Sequence, residues 1–198
     1  GFTYGTNVYE MAGGYATLAN NGQYIKPTGI SKIVDITKEV LYENKHKKKQ
    51  VFDSGSAYLM TDTLKGVITK GTAKGYELDN MTSVGKTGTT NDYKDVWMAG
   101  YTPYYTSVIW VGEDIPKRLK DTTYAMEIWK DFMDKAHEGL KDKDFNMPKS
   151  ISHMYVNSKT GEVDKEDNHG WWKLELVPEI YWENQERKKE EQRIKAEK

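Results

Sequence analysis

The sequence contains no cysteine, and it is poor in other features that would indicate a class of protein. Without thiols the chain can form neither disulfides nor thiolate metal sites, and its four histidines lack metal-ligand spacing, so we expect no metal and no cofactor. No segment approaches the roughly 20 consecutive apolar residues of a membrane span. The 29 Lys and Arg residues nearly cancel the 30 Asp and Glu residues, so bulk charge provides no case for a nucleic-acid partner.

The composition is nevertheless that of a globular protein, with 37% hydrophobic and 12% aromatic residues in a chain of 198. Gly1 begins in mid-pattern without an initiator methionine or a signal peptide, and we expect the chain to be part of a longer protein. Beyond Gly139 the composition shifts to Lys, Asp and Asn, with a predicted hairpin around VNSKTGEVD and a charge-dense helical tail. We therefore predict a main part, residues 1–140, and a small C-terminal appendage, residues 141–198.

Three helices are predicted in the main part. The first follows Asn7, which has capping-box spacing to Glu10, and the second begins with Ser54 as its N-cap. The third begins after Thr122 or Thr123 and is expected to pack on a sheet. Its apolar stripe consists of Ala125, Ile128, Trp129, Phe132, Met133 and Ala136.

Runs of strand length that are rich in β-branched and aromatic residues predict the sheet. They are ISKIVD and EVLYEN before the second helix, and MTSVGKTGTT, DVWMAGYT and YYTSVIWVGED after it. The short turn at 102–104 favours antiparallel neighbours, so the fold class is α/β of the α+β type, an antiparallel sheet flanked by helices. The lysine-rich run from Lys45 to Gln50 predicts a solvated turn, with a polyanion site as the alternative.

The cluster KTGTT, residues 86–90, is the clearest candidate for chemistry. On a strand, Lys86 and Gly88 would point to one face, and Thr87 and Thr89 to the other. Near a sheet edge, both sets can line one groove, where an ammonium and several hydroxyls could bind the carboxylate of an added peptide strand. A strand end whose lysine is only solvated is the simpler interpretation of KTG alone.

The longer context KTGTTNDYKDVWMAGYTP resembles the transpeptidase domain of bacterial class A penicillin-binding proteins. With EMAGGYATLANNG and GVITKGTA, the resemblance extends from about Gly1 to Gly139. These proteins and class A β-lactamases share three motifs: SxxK with the nucleophilic serine, an SxN-type triplet, and KTG. Only the third is present here. The resemblance implies a β-lactamase/transpeptidase-like fold that is incomplete in this chain.

The resemblance also implies roles for matching residues. Lys86 would bind the substrate carboxylate and contact the SxN serine, and the hydroxyls of Thr87 and Thr89 would serve the same carboxylate. The main-chain N–H of Thr89 would be one oxyanion donor, Gly88 would keep the groove open, and Thr90 would complete the substrate-binding set.

Ser83 and Lys86 match SxxK letter for letter, but we reject this match. The family places that serine and lysine one turn apart at the start of a helix, whereas here the spacing enters a predicted strand and Lys86 already belongs to KTG. The nucleophile, its lysine and the SxN triplet are therefore expected in an upstream segment.

The resemblance implies a peptidoglycan D,D-transpeptidase that cross-links stem peptides by serine acyl transfer at D-Ala-D-Ala and is acylated by β-lactam antibiotics. The parent protein would also be a peptidoglycan glycosyltransferase, anchored at the extracytoplasmic face of the bacterial membrane by a segment outside this sequence. The alternatives are a β-lactamase-type hydrolase and a non-catalytic module that senses β-lactams or binds the cell wall. An intact SxxK upstream would distinguish an enzyme from a non-catalytic relic.

Overall fold

The structure, a computed structural model, describes residues 5–197 and divides the chain into two units, Gly1–Phe145 and Asn146–Lys198. The first unit contains helices α1 (Val8–Ala19), α2 (Ser54–Thr69) and α3 (Tyr124–Ala136), and strands β1 (Gln23–Ile25), β2 (Lys32–Val34), β3 (Val40–Glu43), β4 (Lys48–Gln50), β5 (Val84–Thr89), β6 (Asp95–Tyr101) and β7 (Thr106–Gly112). The second unit contains strands β8 (Ile151–Asn157), β9 (Val163–Asp164) and β10 (Trp172–Pro178), and helix α4 (Glu179–Ala196). Within residues 5–197, no helix is both long enough and apolar enough to cross a membrane.

The starts of α1 and α2 are set by side-chain caps. The Asn7 side chain accepts a hydrogen bond from the Glu10 N–H at 2.9 Å, which confirms the predicted start of α1. The prediction that Ser54 caps α2 was wrong, because the Asp53 side chain accepts from the Ser56 N–H at 2.9 Å. A carboxylate at the positive end of the helix dipole is the stronger cap, so Ser54 becomes the first helical residue.

The central sheet has the strand order β5-β6-β7 with both pairs antiparallel, as predicted. Helix α3 packs on β6 and β7, also as predicted. A glycine of β6, Gly100, allows the close approach of the helix. A Cβ on Gly100 would lie 2.6 Å from the Trp129 ring and 2.8 Å from the Val84 carbonyl oxygen. The fully buried Trp129 therefore lies directly on the backbone of the sheet.

We expect Gly100→Ala to lower the free energy of unfolding by about 1–3 kcal/mol, because neither the buried indole nor the strand backbone can give way. Urea denaturation measures this change. Gly66→Ala is the matched control: Gly66 lies inside α2 with no heavy atom within 4 Å of the added Cβ, so that variant should be neutral or up to about 1 kcal/mol more stable. Equal stability of the two variants would contradict the close packing of the Trp129 ring on Gly100.

The buried face of α3 is narrower than predicted. Ala125, Trp129 and Met133 are buried as expected, but Ile128 and Phe132 are 48% and 55% exposed, so their assignment to the buried stripe was wrong. Only the face of α3 that is centred on Trp129 packs against the sheet. A periodic pattern identifies apolar residues, but the position of the partner surface determines which of them are buried.

Two small antiparallel two-stranded sheets precede α2. ISKIVD and EVLYEN contain β2 and β3, which pair as an antiparallel ladder. The prediction of a solvated turn over Lys45–Gln50 was wrong for Lys48–Gln50, which forms β4 and pairs with β1. Lysine side chains can remain in solvent while their backbone completes a ladder, so charge alone does not indicate a turn.

A second cluster packs the KTGTT strand against α2. Val84 and Tyr101, opposite each other on β5 and β6, pack with Leu64 of α2. The Tyr101 hydroxyl lies 2.8 Å from the Thr61 hydroxyl, and burial raises the pKa of Tyr101 to about 12, although this hydrogen bond acts to lower it. Tyr101 is therefore a neutral anchor between the sheet and α2.

In the second unit, β8 lies between β10 and β9 in an antiparallel sheet. The pairing of β8 with β9 confirms the predicted hairpin around VNSKTGEVD. Met154, Val163 and Trp182 form a small core, in which Trp182 is the buried residue of α4. The remainder of α4 is charged and mostly exposed, as its sequence indicated.

Candidate functional site

The KTGTT cluster lies on β5 and the residue after it, at the edge of the central sheet. Strand β6 covers one side of β5, and within residues 5–197 no strand pairs with the other side. An edge strand presents backbone N–H and C=O groups that can pair with an added extended chain. The cluster is thus on an edge strand within residues 5–197, while its place beside an active site stays a prediction.

The phase of the β5–β6 ladder determines which backbone groups point to the open side. The Thr90 N–H donates to the Asp95 carbonyl oxygen at 3.1 Å, which marks that pair as hydrogen-bonded. Hydrogen-bonded and non-hydrogen-bonded pairs alternate along an antiparallel ladder. Gly88 is thus bonded to Trp97, whereas Thr87 and Thr89 direct their N–H and C=O groups away from β6.

Lys86 is exposed, and its side chain reaches this open edge. Its Nζ donates to the Thr87 carbonyl oxygen at 2.8 Å and lies 3.5 Å from the Thr87 hydroxyl. A carbonyl that accepts from a side chain rather than from a strand is consistent with the outward orientation of Thr87. The ammonium therefore lies beside the outward N–H of Thr89 along the same edge, where both can face one anion.

Thr72 belongs to this site, although the sequence analysis did not identify it. Its Oγ1 lies 2.7 Å from the Thr87 Oγ1, and a hydrogen bond links the two hydroxyls. The loop after α2 is held against the end of that helix: the Ala73 N–H donates to the Val67 carbonyl oxygen, and a Cβ on Gly71 would lie 2.9 Å from the Val67 Cα. The segment GVITKGTA was the available signal, but only the tertiary fold shows that its threonine meets KTG.

Gly88 lies close to its cross-strand neighbour Trp97. A Cβ on Gly88 would lie 3.2 Å from the Trp97 Cβ, closer than most side chains allow. A larger residue there would press on Trp97 and add bulk next to Lys86, which lies on the same face of the strand.

Thr90 holds the turn that follows the cluster. Its hydroxyl accepts from the Asp95 N–H at 2.9 Å and donates to the Asp95 carboxylate at 3.0 Å. The same carboxylate accepts from the Trp110 indole N–H at 3.0 Å. Thr90 therefore lies directly after β5, with its hydroxyl engaged by Asp95.

The formal SxxK match has no helical geometry. Ser83 directly precedes β5 and is buried, and Lys86 lies inside that strand. Three residues along a strand span about 10 Å, whereas the same spacing on a helix brings two side chains together. This strand geometry supports rejection of the match.

The family of the chain follows from comparison with known proteins. The model of the penicillin-binding protein transpeptidase domain matches residues 1–134, and this match covers β5 and its neighbours. The chain belongs to the penicillin-binding protein transpeptidase family. The predicted resemblance is thus confirmed.

Individual relatives agree with this assignment. Penicillin-binding protein 1A of Clostridium acetobutylicum is 39% identical over 150 residues, which cover 75% of this chain but 18% of that protein. The structure of the penicillin-binding protein PonA1 from Mycobacterium tuberculosis has a TM-score of 0.64 at 31% identity and covers 71% of this chain and 41% of that one. Penicillin-binding protein 1A from Haemophilus influenzae shares the fold, with a TM-score of 0.73 at 23% identity over 86% of this chain and 31% of that one. The predicted transpeptidase-like α/β fold is confirmed, and the chain spans about a fifth of the Clostridium relative.

Proposed function

We propose that this chain is part of a peptidoglycan D,D-transpeptidase, which transfers an acyl group from the D-Ala-D-Ala end of one stem peptide to an amine on another strand. The observation that carries this proposal is the open edge of β5, where Lys86 and the outward backbone of Thr89 lie side by side in a transpeptidase family domain. A substrate peptide would add along that edge as a further strand.

In this proposal each residue of the cluster has a defined task. The Lys86 ammonium attracts the substrate carboxylate, and the hydroxyls of Thr87 and Thr89 donate hydrogen bonds to it. Gly88 leaves room for the peptide. The Thr89 N–H donates to the oxygen of the scissile carbonyl as negative charge develops there. Thr90 maintains the turn through Asp95.

The nucleophilic serine, its lysine and the SxN triplet belong, in our proposal, to a preceding segment of the parent protein. The same serine would be acylated by β-lactam antibiotics. We further propose that the parent acts at the extracytoplasmic face of the membrane and carries a glycosyltransferase domain. The similarity to full-length penicillin-binding proteins 1A, which are several times longer than this chain, supports a larger parent.

A split-protein experiment tests the function. Residues 1–198 alone should give no covalent adduct with a fluorescent penicillin, because Lys86 and three threonines provide binding but no activated serine. Co-expression with the preceding segment should restore labelling, with the adduct on a serine of that segment. Gel fluorescence and peptide mass spectrometry measure both results.

The outcomes of this experiment separate the alternatives. An adduct on Ser83 of this chain would disprove the assignment of the nucleophile to another segment. Labelling followed by rapid hydrolysis of the adduct would indicate a β-lactamase, and a folded pair that never labels would indicate a non-catalytic module.

Thr72 is expected to act by positioning Thr87. Thr72→Val preserves the shape of the side chain but removes the hydroxyl that lies 2.7 Å from Thr87, so penicillin acylation by the complete protein should slow by about 2- to 10-fold, the value of one hydrogen bond. Thr72→Ser should restore most of the rate. A purely structural role would lower the melting temperature of Thr72→Val without this rescue of acylation by serine.

A further inference from the structure

The strongest feature outside the KTGTT site is a concentration of positive charge between α1 and α2. Residues 26–49 contain seven lysines and three acidic residues, although the whole chain has a net charge of -1. Lys32 pairs with Glu43 at 3.7 Å. In the described part of the chain, Lys26, Lys45 and Lys47 have no carboxylate within ion-pair distance.

These three lysines line one cavity of about 370 Å³. The β1–β4 ladder brings two of them close: it ends at the pair Ile25 and Lys48, and Lys26 and Lys47 are the residues next to that end in the sequence. Lys45 enters the cavity from the connection between β3 and β4. The fold thus gathers lysines that lie about twenty residues apart in the sequence.

The cavity wall contains no acidic residue to compensate these charges. Its other polar side chains include Tyr42, Asn44 and His46. The three ammonium groups repel one another across the cavity, and an anion bound there would compensate this repulsion. A phosphate is suited to such a wall, because its several acceptor oxygens can bind three ammonium groups at once.

An adjoining cavity could hold the part of the ligand that is attached to the phosphate. It has a volume of about 510 Å³, shares Lys26 and Tyr42 with the first cavity, and is also lined by Tyr9, Ile30 and Ile33. A free phosphate ion would leave this less polar space unused, whereas the organic group of a phosphate ester could lie there. Lys48 and Lys49 extend the positive charge beyond the cavity along β4.

We propose that the cavity formed by Lys26, Lys45 and Lys47 binds a phosphodiester group of a chain of polyol or sugar phosphates. The site is separate from the β5 edge, and it does not depend on the transpeptidase assignment. A phosphodiester on such a chain or on a lipid headgroup has the same chemistry, and the choice of probe distinguishes the two sources.

Binding is measured with a glycerol phosphate oligomer and with phosphatidylglycerol vesicles. The triple variant Lys26→Ala/Lys45→Ala/Lys47→Ala should bind the oligomer at least about tenfold more weakly than the wild-type protein, because charge-assisted contacts are lost. The slope of log K against log salt concentration should fall by about 2, as expected for three lysine–phosphate contacts on a flexible chain.

The matched control is Lys120→Ala/Lys149→Ala/Lys188→Ala, which removes the same charge from exposed positions elsewhere. This control should bind within twofold of wild type. All six lysines are exposed, so circular dichroism and thermal melting should show that both variants fold.

Three outcomes would overturn the proposal: equal losses in the two triple variants, unchanged binding by the cavity variant, or equally tight binding of a polyglutamate of the same charge. Oligomer binding that is lost only in the cavity variant would establish a polyol phosphate chain as the ligand. Vesicle binding without oligomer binding, again lost only in that variant, would keep the phosphodiester assignment and identify a lipid headgroup as its source.

Discussion

Replacing Thr89 by proline in the complete protein is expected to lower the rate of penicillin acylation by about 10²- to 10³-fold. The physical reason is the direction of one backbone group. The β5–β6 register directs the Thr89 N–H toward the open edge, where we propose that it donates to the oxyanion, and proline has no N–H to donate. Stopped-flow acylation with a fluorescent penicillin measures the rate.

Thr89→Ala is the control for the side chain. It keeps the N–H and loses only the hydroxyl, so its rate should fall by about tenfold or less, the effect of one hydrogen bond. Equal rates for Thr89→Pro and Thr89→Ala would remove Thr89 from the oxyanion hole.

Gly88→Pro is the control for the ladder. In the wild-type protein the Gly88 N–H points to Trp97. Proline at position 88 should therefore break a ladder hydrogen bond and lower the melting temperature. Thr89→Pro loses no ladder bond and should fold. If both proline variants melt alike, the assigned phase of the ladder is wrong.

Lys86→Ala in the complete protein is expected to reduce acylation by roughly 10- to 100-fold, because a charge-assisted hydrogen bond to the ligand carboxylate is worth about 1.5–3 kcal/mol. Lys86 is exposed and donates only to its neighbour Thr87 in the described structure, so the melting temperature should not change. The second-order rate constant for acylation and a thermal melt measure the two quantities.

Two further variants sharpen this test. Lys188→Ala removes an exposed lysine of α4, in the second unit, and should acylate at the wild-type rate. Lys86→Arg keeps the charge, but its planar group does not reproduce an ammonium at the strand edge, so its rate should lie between those of wild type and alanine. An unchanged rate for Lys86→Ala would remove Lys86 from the proposed site.

Most elements were predictable because their signals are local. The Asn7 cap, the hairpin in the second unit and the antiparallel neighbours of KTGTT depend on residues within a few positions of each other. The strand that carries KTGTT was also predictable, because the lysine, the glycine and the threonines of this motif are consecutive residues.

The errors occurred where a distant partner decides the outcome. Ile128 and Phe132 are apolar like Trp129, yet of these three only Trp129 is buried, where its ring contacts the space left by Gly100. Lys48 lies in a lysine-rich run that is typical of a turn. It is nevertheless part of a strand, because β1 provides the hydrogen-bonding partner for its backbone.

The sequence by itself therefore determined the family, the fold class and the strand that carries KTGTT, since motif chemistry and local periodicity are written in consecutive residues. Only the tertiary structure decided that Thr72 meets Thr87, that the Thr89 backbone faces the open edge, and that Lys26 shares a cavity with Lys45 and Lys47. Each of these depends on strand register or on a contact between separate segments. A slip of one residue in the β5–β6 ladder would exchange the inward and outward backbone groups, and the turn between the strands together with the packing of the buried face sets that register.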